Sequence, residues 1–146
     1  MPDPIGPISP SGIQPNSHIM LLPQLGGMAF SIANNAGWYD TLLFTKPNDS
    51  SSPLDISSIN FHAELRTAVN DANNRLDMST TNSPPQLVNG GANGQLFFSV
   101  DVTLIVRLTP GLYVMDMIAI DIVSGMVKSL CEIQPISVTV IQGVTR

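Results

Sequence analysis

The sequence predicts an all-β protein built as a two-layer sandwich of about seven strands, and three observations carry that expectation. From Leu112 to Ile122 the chain alternates with a period of two, as β side chains do. Both faces of that run are largely apolar, as in a strand enclosed by a second layer. Turn-forming residues such as Ser124-Gly125, Asn89-Gly90-Gly91 and Asn93-Gly94 separate the apolar runs.

The long run sorts its residues into two faces. Leu112, Val114, Asp116, Ile118, Ile120 and Ile122 fall on one, and Tyr113, Met115, Met117, Ala119 and Asp121 on the other. Leu112, Val114 and Ile118 are expected to face the core, with Asp116 as a mid-strand carboxylate hydrogen-bonded to a neighbouring loop. Asp121 is expected at a strand end within reach of solvent. Ser124-Gly125 turns the chain, Met126 to Ile133 carries it back, and Pro135 breaks the strand because proline cannot donate to a ladder. Ile136, Val138 and Val140 form a last strand.

The chain starts differently. Met1 to Ser17 holds Pro2, Pro4, Pro7, Pro10 and Pro15 and has no periodicity, which favours an extended polyproline-like arm. The arm is expected to occupy residues 1–23 and the sandwich residues 24–146. Ile5, Ile8 and Ile13, spaced along the arm, are candidate contacts to a neighbour, as is Trp38. Met28 to Ile32 and Trp38 to Phe44, joined by an Asn/Gly-rich connection, give a hairpin or strand-bulge-strand signal. Lys46 to Asp55 is a polar loop with two prolines. Ile59, Phe61, Ala63 and Leu65 alternate cleanly with Asn60, His62, Glu64 and Arg66, the pattern of a half-exposed strand. An Asn-rich turn, a short return strand over Leu76 to Met78 and a turn-rich loop over Thr80 to Asn93 follow. Leu96 to Val102 reads as a strand, and from Leu104 to Leu108, where the spacing turns helical, either the strand continues or one helical turn closes the end of the sandwich.

Composition narrows the function. Charged residues make up 12% of the chain, against about 25% in an ordinary globular domain. So poor a supply of charge suits a surface covered by uncharged polar groups or by other protein. A net charge of −5 with only 6 Lys and Arg argues against nucleic acid. No secretory signal and no membrane-spanning run is expected. Cys131 is the one cysteine and is expected to be an inert buried thiol in an apolar strand.

Catalytic candidates are thin. His18 and His62 are the two histidines, and no Cys or His cluster has zinc-ligand spacing. Asp71, Asn73 and Asp77 resemble the start of a calcium loop but lack its glycine and terminal glutamate. His62 and Glu64 share a strand face without a nucleophile beside them. No enzyme activity and no cofactor or metal is expected.

Several segments together resemble small immunoglobulin-like sandwich proteins of tailed-bacteriophage virions, of tail, baseplate or neck type. The segments are Trp38 to Phe44, Leu54-Asp55-Ile56-Ser57, Phe61 to Arg66, Gly94 to Ser99, Leu108 to Asp116, Gly125 to Leu130 and Val138 to Arg146. The most specific are L-T-P-G-L-Y-V-M-D and the terminal G-V-T-R. The resemblance implies an immunoglobulin-like sandwich, one short helical turn near Thr103 to Arg107, and no catalytic residues. It also implies a virion structural protein, made in the host bacterial cytoplasm, that acts through contacts with other virion proteins and with copies of itself. The rival expectation is a carbohydrate- or receptor-binding module presenting Trp38, Tyr39 or Tyr113; a small hydrolase is a distant third.

Overall fold

The computed structural model describes residues 17–144. A single helical turn, α1 (Ser17–Met20), precedes β1 (Ala29–Ala33), β2 (Trp38–Leu43), the short ribbon β3 (Thr45–Lys46) and β4 (Asp49–Pro53), and β5 (Ile59–Arg66). Then come β6 (Leu76–Ser79), β7 (Leu87–Asn89), a 3-10 turn at Gly91–Asn93, β8 (Gln95–Val100) and α2 (Val102–Ile105). The chain ends in β9 (Gly111–Asp121), β10 (Val127–Ser129) and β11 (Ile136–Ile141).

These strands form two layers. One sheet runs β1-β11-β9-β5-β6, with β10 also paired to β9; the other is β2-β8-β7. The fold is the expected all-β sandwich, and its strand order is that of an immunoglobulin-type Greek key. Inner faces of both sheets feed one core. Ile59, Phe61, Ala63 and Leu65 of β5 meet Leu96, Phe98 and Val100 of β8 and Trp38 and Leu42 of β2 there. Rings tie the layers together: Phe30 of β1 lies 5.5 Å from Trp38 and Phe44 stacks on Phe61 at 5.7 Å, while Trp38 stacks on Phe98 at 4.6 Å within the small sheet.

The return of the last hairpin follows the expectation. Gly125 takes a positive φ of 76° in the turn, which favours glycine. Strand β10 pairs with Ile118 to Ile120, the chain leaves the ladder over residues 130–135, and β11 resumes opposite Gly111 to Met115. The helical turn also appears: Asp101 caps α2, its carboxylate accepting from the Thr103 amide at 3.0 Å and the Thr103 hydroxyl at 2.6 Å.

Other expectations need correcting. Strands β1 and β2 do not form a hairpin. The chain crosses between layers there, and β1 pairs in parallel with β11 while β2 pairs with β8. The polar loop after Phe44 contains the β3–β4 ribbon, and the turn-rich loop after Ser79 contains β7. The last residues counted with the expected arm pack against the sandwich. Ile19, Leu22 and Leu25 are buried in the core, and Lys128 Nζ holds the carbonyls of Met20 (3.2 Å) and Leu22 (2.6 Å). The rest of the expected arm, with Ile5, Ile8 and Ile13, lies outside the described residues.

The largest correction concerns β9. Its inner face is Tyr113, Met115, Met117, Ala119 and Asp121, all buried, whereas Leu112 is 71% exposed and Asp116 is exposed. Val114 and Ile118 are half-buried on the same outer face. Register explains the choice: β5 is opposite β9 with Leu65 against Met115, Ala63 against Met117 and Phe61 against Ala119. A one-residue slip would put Asn60, His62 and Glu64 into the core.

Candidate functional site

The outer face of the large sheet gathers a cluster of ionisable groups: His62, Glu64, Arg66, Asp77 and Asp116. Strand β5 presents Asn60, His62, Glu64 and Arg66 there, because its alternate residues are committed to the core. Antiparallel pairing sets Glu64 directly opposite Asp77 of β6 on one side and Asp116 of β9 on the other. His62 Nε2 forms a short hydrogen bond with Asp77 Oδ1 and lies 3.7 Å from Glu64 Oε2. Arg66 pairs through Nη2 with Glu64 Oε1, and its Nη1 donates to the Asp71 carbonyl at 3.1 Å.

Asp71 closes the turn that follows β5. Its carboxylate accepts from the Thr67 hydroxyl at 2.7 Å and the Asn73 amide at 3.0 Å, and pairs with Arg75 at 3.3 Å. The Asn73 amide and then the Thr67 hydroxyl hold the Asp71 carboxyl at about 2, below its ordinary 3.8. The calcium-loop resemblance therefore dissolves: Asp71 is a turn residue, and Asp77 belongs with His62.

Beside this cluster is a groove of about 490 Å³. The chain that leaves the ladder between β10 and β11 forms one wall, with Cys131 and Ile133, and Arg66, Val69, Val114 and Asp116 line the rest. Ile133 is 92% exposed. Cys131 is in this connection and not in a strand as expected. It is half-buried, and burial, with the Asp116 carboxylate adding to it, pushes its thiol above the ordinary value. Such a thiol is a poor nucleophile at neutral pH.

The outer face of the small sheet mixes apolar and uncharged polar residues, with Thr41, Gln95 and Ser99 among them. Tyr39, 69% exposed, shares it with Leu43, Val88 and the half-buried Phe97. Cross-strand pairing sets Phe97 opposite both Thr41 and Val88. Strand β2 ends its sheet on one side and β1 ends the large sheet, so among the described residues each has one edge without a partner strand. Neither contains a lysine, an arginine or a proline, residues that commonly blunt an exposed edge.

Trp38, a sequence candidate for an outside contact, is buried. Its Nε1 donates to Asp40 Oδ2 at 2.8 Å, which satisfies the indole without a partner molecule. Tyr113 is buried too, and its hydroxyl donates to the Thr109 carbonyl at 2.7 Å, the corner bond of immunoglobulin-type sandwiches. Of the three proposed sugar-facing aromatic residues, Tyr39 alone stands at the surface. Asp116 lies exposed beside the groove, where its carboxylate faces Cys131 of the chain between β10 and β11.

Sequence reasoning also missed the role of Asp121. It is 1% exposed, and its Oδ1 accepts from the amides of Val123 (2.8 Å) and Ser124 (3.2 Å). The turn supplies donors to Oδ1 alone, and Oδ2 is buried with no hydrogen-bond partner among the described residues. The partnership of His62 with Asp77 was missed as well; the signal was present in the return strand, whose register across the Asn-rich turn decides it.

No nucleophile accompanies the histidines among the described residues. Ser79, opposite His62, has its hydroxyl engaged by the Thr81 and Asn82 amides at 3.1 and 3.0 Å. His18 Nδ1 lies 2.7 Å from the Asp55 carbonyl. No family model matches the chain, and no curated protein matches it in sequence.

Proposed function

We propose that this protein is a structural module of a bacteriophage virion, in a tail, baseplate or neck assembly, that works through protein–protein contacts. The observation that carries the contact role is the pair of strand edges on β1 and β2. Among the described residues both lack a partner strand on that side and are free of basic residues and proline, and an edge of that kind is a template for another chain. Scarce charge and exposed Leu112, Ile133 and Leu43 support the same reading, since a surface covered by neighbours needs few ions. The virion setting rests on the L-T-P-G-L-Y-V-M-D and G-V-T-R resemblance.

Light scattering at about 100 μM tests the contact role, because symmetric reuse of one edge gives closed oligomers or open filaments. The wild type forms a defined higher species, alone or with tail proteins, and Ser31→Lys and Thr41→Lys abolish it while the fold persists. A wild type that stays monomeric and enters no particle overturns the reading. Tail or capsid genes flanking its own would support the virion setting.

A second reading has one observation in its favour. Tyr39 beside Phe97, over a shallow depression that Asp40, Thr41 and Ser99 also line, has the character of a sugar-stacking platform. Glycan-array binding lost in Tyr39→Ala at unchanged stability would establish it in place of the assembly role.

A further inference from the structure

We infer that His62, Glu64 and Asp77 form a binding site for a divalent transition-metal ion of the zinc type. Their ligating atoms, one per side chain, all lie within 4.8 Å of one another. A tetrahedral ion with ligands at about 2.0–2.2 Å separates its ligand atoms by roughly 3.3–3.5 Å. His62 Nε2 and Glu64 Oε2 stand 3.7 Å apart, so an ion fits between them after a small side-chain adjustment. Asp77 now takes the position next to Nε2 that the ion would share.

Three further features make this more than a chance meeting of polar groups. The ligands sit on paired strands: Glu64 is directly opposite Asp77, and His62 is two residues along on the same face. Their spacing is thus set by the ladder and not by a loop. Glu64 is oriented from behind, since Arg66 holds Oε1 and is itself anchored on the Asp71 carbonyl, which leaves Oε2 turned to His62. Such outer partners orient the ligands of metal sites. Lastly, Asp77, Glu64 and Asp116 form one row across three strands. Like charges directly opposite in a sheet repel, and Arg66 is the cation paired within that row. A divalent ion relieves the repulsion.

An imidazole with two carboxylates suits zinc, nickel or copper better than calcium or magnesium, which prefer oxygen alone. Binding uses neutral His62 with its proton moved to Nδ1, so that the Nε2 lone pair faces the ion. Three protein ligands leave a coordination position for water on the outer face, next to the groove that Glu64 and Asp116 also line.

Calorimetric titration of untagged protein with Zn²⁺ in a non-chelating buffer tests the site, with Co²⁺ absorption as a second readout. One equivalent binds per chain, excess Ca²⁺ does not displace it, and Co²⁺ gives the visible bands of a low-coordinate nitrogen–oxygen site. His62→Ala and Asp77→Asn weaken binding by more than about tenfold, whereas His18→Ala binds as the wild type does. Circular dichroism confirms that each variant is folded; should His62→Ala unfold, His62→Gln keeps the shape and serves instead. No saturable binding by the wild type, or equal affinity in folded His62 and His18 variants, overturns the inference.

Discussion

Strands β5 and β9 run side by side through eight paired residues and meet the same burial demand with opposite materials. The outer face of β5 is Asn60, His62, Glu64 and Arg66, so its two faces differ sharply in polarity. On β9, Leu112, Val114, Ile118 and Ile120 stand outside, while Tyr113, Met115, Met117 and Ala119 stand inside. Inward side chains fit by size: Phe61 is opposite Ala119, and Ala63 is opposite Met117. Hydrophobicity thus selects the inner face of β5, whereas register and volume select that of β9.

The sharpest way to break the comparison is to empty one inner position. Phe61→Ala should destabilise by about 3–5 kcal/mol, because it removes a buried ring that stacks on Phe44. The urea midpoint should fall with the slope unchanged; a loss below about 1 kcal/mol would mean that the inner face collapses around the gap.

Next is the inward carboxylate of β9. Asp121→Ala should cost about 1–3 kcal/mol, since two turn amides lose their acceptor in a buried site. Asp121→Asn keeps one acceptor oxygen and should cost less. Equal losses would show that charge, not hydrogen bonding, holds Asp121 inside.

Tyr113→Phe removes one hydroxyl bond and leaves the ring in place, so thermal melting should register a loss of about 1 kcal/mol. On the outer face, Val114→Ala should remain within about 0.5 kcal/mol, as surface positions do. A loss above about 2 kcal/mol for the isolated chain would contradict the assignment of the two faces.

The smallest effect is a pH dependence at the turn beyond β5. Asp71 titrates at about 2 when folded and near 3.8 when unfolded. The unfolded chain therefore takes up the proton first on acidification, and the stabilisation present above pH 3.8 is lost as pH falls through about 2. Asp71→Asn should flatten that part of the acid profile. Carbon-detected NMR of the carboxyl should place its midpoint well below that of an unpaired aspartate.

How much the sequence disclosed follows from the same contrast. Strand β5 could be read outright, because apolar and polar residues alternate there without exception. The end of β9 was also legible: Ser124-Gly125 and Pro135 mark the turn and the interruption with backbone chemistry that tolerates few substitutes. The inner face of β9 was not. Each parity carries one aspartate, so charge could not break the tie, and branched aliphatics outside outrank methionine and alanine inside on any hydrophobicity scale. The register with β5, the corner bond of Tyr113 and the turn amides around Asp121 distinguish them, and all three depend on folded geometry. The crossing between β1 and β2 was hidden for a related reason, since a short Asn/Gly connection serves a hairpin and a change of layer equally well. The pairing of His62 with Asp77 needed the register across a turn, which no local pattern states.

The parallel pairing of β1 with β11 has a mechanical consequence. Chain enters β1 at Ala29, beside Ser137, and leaves β11 at Ile141, beside Ala33, at the other end of the ladder. Tension drawn between those two points acts along the strands, so the cross-strand hydrogen bonds resist it together in shear instead of opening one after another. Single-molecule pulling across the two points should show one high rupture peak, well above that for peeling β6 from β5.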